Sequence, residues 1–248
     1  MSETQVFSMP KVWNADTHTH YCPGCTHGVV HRLVCEALED LDIQDRTIGL
    51  APVGCSVLIH QYMDIDFMEA AHGRAPAVAT GVKAVRPDKI VFTYQGDGDL
   101  ASIGLAEIIH AMNRTLPLTT IFVNNAIYGM TGGQMAPTTL LGQKSSTCPT
   151  GRTAEANGYP IRMCEMLATL GGPAYIERVS VTRPKDIIKA KQAILKAFKN
   201  QVEEKGVSFV EVLSTCPTNW GMRPVDACRW LEENMIPHYP LGVHKDFE

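Results

Sequence analysis

The run Ile90-Val91-Phe92-Thr93-Tyr94-Gln95-Gly96-Asp97-Gly98-Asp99 decides the fold. Its first five residues are β-branched or aromatic with no polar alternation, which reads as a strand (90–94) buried on both faces. Gly-Asp-Gly-Asp then breaks the strand, and helical spacing follows over 100–112. A second strand, 118–123, ends in Asn124-Asn125. Strand, turn, helix and strand in that order make a parallel βαβ unit. Upstream, 28–41 reads as a helix with Val29, Val30, Leu33, Val34, Ala37, Leu38 and Leu41 on one face. A short strand follows at 47–51, then a small-residue helix at 75–85 that Arg86-Pro87 terminates. Downstream, 129–159 is rich in Gly, Thr, Ser and Pro and reads as a long functional loop with room for a helical piece. Beyond it lie a helix (162–170), a strand (174–179), an amphipathic helix (184–203) and a last strand (207–213). The expected fold is α/β, a doubly wound, mostly parallel sheet. It forms one domain over 1–248, with an N-terminal arm at 1–17 and a C-terminal extension at 217–248.

The 248 residues are enough for a sizeable core, and 45 % hydrophobic against 19 % charged residues argues against disorder. A net charge of −4 gives no electrostatic reason to expect nucleic acid or an anionic membrane as partner. No apolar run is long enough to span a bilayer, and the stretch from Met1 to Met9 has no signal-peptide core. A cytoplasmic location is the default expectation. In that setting eight cysteines point to metal binding or reactive thiols before disulfides.

Ligands of doubly wound sheets bind outside the carboxyl ends of the strands. Four unusual segments are expected at that edge: Pro52-Val53-Gly54-Cys55-Ser56, Gly96-Asp97-Gly98-Asp99, Asn124-Asn125, and Cys216. Glycines in a strand-to-helix turn let the backbone approach a phosphate, and the helix start favours an anion. Asp97 and the Asn125 amide oxygen are the hard donors that a magnesium ion bridging to a diphosphate requires. A Gly-Asp-Gly alone is equally a capped turn; its specificity comes from the Ile127-Tyr128-Gly129-Met130-Thr131-Gly132-Gly133-Gln134 segment one helix and one strand later. Cys22-Pro23-Gly24-Cys25 is a C-x-x-C before the first helix. With Cys55 and Cys216 it suits an iron–sulfur cluster, and with His18, His20, His27 or His31 it suits zinc. It equally suits a redox pair. Spacing alone leaves these readings level.

The Gly-Asp-Gly turn followed by an Asn-rich strand end resembles the thiamine-diphosphate-binding fold. The variant N-x-I-Y-G-M-T-G-G-Q, with the C-P-G-C, G-C-S and C-P segments, resembles the beta subunits of 2-oxoacid:ferredoxin oxidoreductases over roughly residues 21–220. The resemblance implies Asp97, Asn125 and the Ile127 carbonyl as magnesium ligands. It implies Gly96, Gly98, Asp99, Gly129, Met130 and Thr131 around the diphosphate of thiamine diphosphate, with His72 and the Val53, Gly54, Cys55, Ser56 turn nearby. It implies Cys22, Cys25, Cys55 and Cys216 as ligands of a 4Fe–4S cluster; Thr26, where many members have Gly, is a departure that touches no ligand. Cys35 and Cys164 fall in helical patterns as core thiols; Cys148 and Cys228 have no assigned role, and the loop leaves Cys148 free to be exposed. The implied reaction is CoA-dependent oxidative decarboxylation of a 2-oxoacid, 2-oxoglutarate or a branched-chain one, with electrons passing through the cluster to ferredoxin. No motif offers an acid for the aminopyrimidine ring. An alpha subunit is therefore expected as partner, with gamma and ferredoxin-like delta subunits in larger assemblies. The alternatives are a cluster-free thiamine-dependent decarboxylase subunit, a NAD-type domain, which G-D-G-D does not match, and a zinc-binding interaction module.

Overall fold

The structure is a computed structural model that describes residues 8–247. In chain order its elements begin with helix α1 (His27–Asp40), strands β1 (Thr47–Ala51) and β2 (Asp66–Glu69), and helix α2 (Ala75–Val85). Next come β3 (Ile90–Gly96), a π-helical turn (Asp99–Ile103), α3 (Leu105–Asn113) and β4 (Thr119–Asn124). The second half holds α4 (Ala154–Asn157), α5 (Met163–Ala168), β5 (Pro173–Ser180), α6 (Pro184–Val202) and β6 (Val207–Leu213), then α7 (Pro217–Trp220), α8 (Pro224–Trp230), α9 (Ile236–His238) and β7 (Gly242–Asp246). The seven strands form one sheet in the order β2-β1-β3-β4-β6-β5-β7. Every pairing is parallel except β5 with β7.

The period of two along the strands explains the continuous apolar runs. Phe92, Tyr94, Ile121, Val123, Val210 and Val212 face the layer of α1 and α6, where they meet Val30, Val34, Ile194 and Phe198. Val91, Phe122, Phe209 and Ile176 face the other layer, with Ile108, Met112, Met163 and Leu167. Both faces are covered, so polar alternation has no place in the central strands.

Four features depart from the sequence expectation. Strand β2 lies in the 52–74 stretch, where no strand was expected. The helix expected at 100 begins instead as the π-helical turn, because the Gly104 N–H bonds to the Asp99 carbonyl at 2.9 Å. A Cβ on Gly104 would sit 2.7 Å from the Gly73 carbonyl oxygen, so this turn packs backbone against backbone beside the Gly-Asp-Gly-Asp segment. The segment read as a C-terminal extension folds back, and β7 closes the sheet as an antiparallel edge. The expected arm lies partly outside the described residues; its described part is docked, with Val12 buried and Trp13 bridged to Met63. No helix among the described residues is long and apolar enough to cross a membrane.

Candidate functional site

The strands β1, β3, β4 and β6 are consecutive in the sheet, and all four point the same way. Their carboxyl ends carry Val53–Ser56, Gly96–Asp99, Asn124-Asn125 and Cys216 in turn. Topology thus assembles segments that lie far apart in sequence, and two adjoining cavities open there.

The first cavity is lined by Val53, Gly54, Cys55, His72, Gly96, Asp97, Gly98, Asp99, Asn125, Ile127, Gly129, Met130 and Thr131, with His27 and Tyr128. The expected Ser56 is not among them. It is buried beneath the cavity, where its hydroxyl donates to the Tyr94 carbonyl at 3.3 Å. Asp97 is 2 % exposed. Its Oδ1 accepts from the Gly98 N–H at 2.9 Å, and its Oδ2 accepts from the Ile127 N–H at 3.1 Å and the Thr138 hydroxyl at 2.7 Å. Burial pushes its carboxyl up to about 7 against the pull of these donors. A bound cation would reverse that balance, which fits the residue to a metal. Asn125 presents its Oδ1 to the Ile127 N–H at 3.3 Å. Asp99 is committed differently. It accepts from the Gly73 N–H at 2.8 Å and from the Gln95 amide, with His72 Nε2 at 3.5 Å, so it ties the His72-Gly73 turn to the strand end. Gly98 leaves no room for a side chain: a Cβ would meet the Tyr128 ring at 2.3 Å. The Tyr128 hydroxyl donates back to the Gly98 carbonyl at 3.2 Å.

The second cavity gathers Cys22, Cys25, Cys55 and Cys216 with His20, Tyr21, Asn219 and the Pro217-Thr218 start of α7. It shares His27, Cys55, Asn125, Gly129 and Met130 with the first. Gly129 passes between sulfurs: a Cβ there would lie 2.9 Å from Cys55 Sγ and 3.5 Å from Cys216 Sγ. Asn219 donates to the Gly129 carbonyl at 2.9 Å and to Cys216 Sγ at 3.3 Å, locking the loop to the fourth cysteine. Burial, and then the neighbouring sulfurs, push Cys25 up to about 11 and Cys55 up to about 12; burial raises Cys216 as well. The four sulfurs ring a cavity rather than a point. Among the described residues no group of three or more His, Cys, Asp or Glu side chains is drawn in to hold a single metal ion. Soft donors spread around a cavity suit a cluster, whereas the oxygens of Asp97 and Asn125 suit a hard cation. His27, between the two cavities, is buried, and that burial pushes it down to about 3, so it is a neutral imidazole.

Cys35 and Cys164 are buried in helices, as expected. Cys148 is not exposed. It is 8 % exposed because the 129–159 segment folds on itself, with a Ser145–Cys148 bridge and the Cys148 thiol facing Asn157 Oδ1 at 3.6 Å. Three contributors escaped the sequence reading. Tyr128 lay inside the quoted motif. Thr138 and Asn219 carry no local signal, since the groups they tie in, Asp97 and the Gly129 carbonyl, are distant in sequence.

The profile of the family described as thiamine pyrophosphate enzyme, C-terminal TPP binding domain, matches residues 52–212. The ketoisovalerate oxidoreductase subunit VorA of Methanothermobacter thermautotrophicus is 52 % identical over 94 % of this chain, and this chain spans about half (49 %) of that protein's length. The 2-oxoglutarate synthase subunit KorB of Methanocaldococcus jannaschii is 38 % identical, covering 87 % of this chain and 78 % of its own. The 2-oxoacid:ferredoxin oxidoreductase subunit beta of a Sulfolobus species is 31 % identical, covering 92 % of this chain and 70 % of its own. Among solved structures, a 2-oxoglutarate:ferredoxin oxidoreductase from Magnetococcus marinus superposes with a TM-score of 0.81 over 100 % of this chain and 87 % of that one; at 24 % identity the likeness shows the fold. The chain belongs to the thiamine-pyrophosphate-binding beta subunits of the 2-oxoacid:ferredoxin oxidoreductase family.

Proposed function

We propose that the chain is the catalytic beta subunit of a 2-oxoacid:ferredoxin oxidoreductase that converts a 2-oxoacid and CoA to an acyl-CoA and carbon dioxide while reducing ferredoxin. A branched-chain 2-oxoacid is favoured over 2-oxoglutarate, since the relative named for ketoisovalerate is 52 % identical over the aligned stretch against 38 % for a 2-oxoglutarate relative. One observation carries the reading: the oxygen-lined and sulfur-lined cavities share a wall made of His27, Cys55, Asn125, Gly129 and Met130. A reaction that withdraws electrons singly from a carbon centre needs donor and acceptor this close.

In this reading Asp97, the Asn125 side chain and the Ile127 carbonyl hold magnesium, and Gly96, Gly98, Asp99, Gly129, Met130 and Thr131 surround the diphosphate. Cys22, Cys25, Cys55 and Cys216 hold a 4Fe–4S cluster. When bound, thiamine diphosphate supplies the carbanion chemistry that cleaves the 2-oxoacid, and the cluster carries the electrons. The protein's part is placement. Gly98 and Gly129 let the backbone come close, the Thr138 hydroxyl and two N–H groups fix Asp97, and neutral His27 divides the two sites without adding charge.

Asp97→Ala should abolish magnesium-dependent retention of thiamine diphosphate while iron content stays at the wild-type level. Cys216→Ser should lose iron and the visible absorbance while Cys35→Ser keeps both. Iron, sulfide and thiamine assays on anaerobically purified protein decide. Wild-type cofactor affinity in Asp97→Ala, or stoichiometric zinc in place of iron, overturns the assignment. Turnover with 3-methyl-2-oxobutanoate below that with 2-oxoglutarate overturns the substrate preference.

A further inference from the structure

Asn124, the last residue of β4, does not face the cofactor cavity. Its side chain is fully buried and lies between two groups. Its Nδ2 donates to Glu211 Oε1 at 2.8 Å, and its Oδ1 accepts from the Ala126 N–H at 3.1 Å. Glu211, also fully buried, is fixed by Arg178 Nε at 2.9 Å and by the Cys164 thiol at 3.1 Å, both on Oε2. Arg178, 0 % exposed, is anchored in turn by Glu165 at 2.6 and 3.0 Å and by the Pro240 carbonyl at 3.1 Å. An ionised carboxylate only accepts hydrogen bonds, so Glu211 dictates which way the Asn124 amide points: nitrogen to the carboxylate, oxygen to the turn.

The turn so held is strained. Ala126 has φ 56°, a left-handed conformation that residues with a Cβ rarely adopt. Its N–H is taken by Asn124, and its carbonyl accepts from the Thr139 hydroxyl at 2.6 Å and the Gln143 amide at 3.3 Å. The two residues that flank Ala126 are Asn125 and Ile127, and both line the cavity beside Asp97.

We propose that Asn124, oriented by the buried Glu211–Arg178 pair, is a positioning residue that holds Ala126 left-handed and thereby sets Asn125 and Ile127 opposite Asp97. The inference rests on the magnesium and thiamine diphosphate reading above. Removing a group that orients a metal ligand costs tenfold to a hundredfold in affinity as an order of magnitude.

The test uses the full chain, purified anaerobically with the subunits that co-purify, and reads magnesium-dependent binding of thiamine diphosphate by calorimetry. Asn124→Ala should weaken that binding about tenfold or more and leave iron content unchanged. Ala126→Gly in the Asn124→Ala background should restore most of the affinity, because glycine adopts φ > 0 without the side-chain penalty. That rescue is not expected of a residue that merely stabilises the fold. Wild-type affinity in Asn124→Ala, or a loss that Ala126→Gly leaves untouched, overturns the proposal. If Asn124→Ala does not fold, Asn124→Ser, too short to span Glu211 and Ala126 together, is read the same way. Absence of binding by the wild-type protein would instead sink the cofactor reading itself.

Discussion

His31, like His27, is a buried neutral histidine that ties the stability of the fold to pH. It sits fully buried on α1 with Trp13 edge-on at 4.5 Å, its Nε2 is 3.4 Å from the Tyr62 carbonyl, and its Nδ1 has no partner. Burial pushes it down to about 4, with the carbonyl opposing. In the unfolded chain it titrates near 6.5. Between those values the unfolded state binds the extra proton, so stability falls as pH drops through the window. The loss between pH 7 and pH 5 is about 2 kcal/mol. His31→Phe, apolar and aromatic among Trp13, Tyr21 and Tyr62, should shrink the fall in thermal midpoint over that range. An equal fall in wild type and variant would show that another group is responsible. At this scale the sequence was informative where chemistry is local: Gly96–Asp99 and Asn124-Asn125 are turn residues whatever surrounds them. It was silent on Thr138 and Asn219, whose importance lies in reaching Asp97 and the Gly129 carbonyl across the fold.

At the scale of elements, Arg152 explains why the 129–159 segment is ordered without regular structure. Arg152 is 5 % exposed, and its guanidinium donates to six backbone carbonyls, those of Ala136, Pro137, Thr139, Asn157, Gly158 and Tyr159, at 2.7–3.3 Å. One side chain thus replaces the ladder that a helix or strand would have supplied. Composition marked the segment as loop, but no periodicity could reveal a hub whose partners are all backbone. Arg152→Met should cost about 3 kcal/mol or more, because several buried carbonyls lose their donor together. The segment should become sensitive to limited proteolysis; unchanged protease resistance would show that it is held elsewhere. The same reasoning separates the strands that the sequence revealed from those it hid. The central strands β1, β3, β4 and β6 are buried on both faces and read as apolar runs, whereas Asp66-Phe67-Met68-Glu69 is a mostly exposed edge strand with charged ends, and Gly242–Asp246 is an edge strand with a similarly polar sequence. Edges carry less apolar patterning, so they vanish from a reading based on it.

At the scale of the whole molecule, the fold gathers both candidate sites at one sheet edge but completes only one end of the first. The carboxylates among the residues lining that cavity are Asp97 and Asp99. Asp97 is engaged by the Gly98 and Ile127 N–H groups and Thr138, and Asp99 by the Gly73 N–H and Gln95. Neither is left to bind the aminopyrimidine end of thiamine diphosphate. A cofactor held at its diphosphate alone would be poorly oriented, and orientation is a large part of this catalysis. The rim offers a surface for closure: Val53 and Met130 line the cavity yet remain 37 % and 48 % exposed. We therefore expect an alpha subunit to cover this edge, supply the missing acid and bury Met130, with the 132–158 part of the loop as its docking segment. The chain expressed alone should bind iron yet show no 2-oxoacid- and CoA-dependent reduction of a viologen dye. Co-expression with the alpha subunit should restore turnover, and Leu141→Asp, at an exposed apolar position of that loop, should weaken the association without altering the iron content of the isolated chain. Full turnover by the isolated chain would mean that its own residues, or a second copy of it, complete the site.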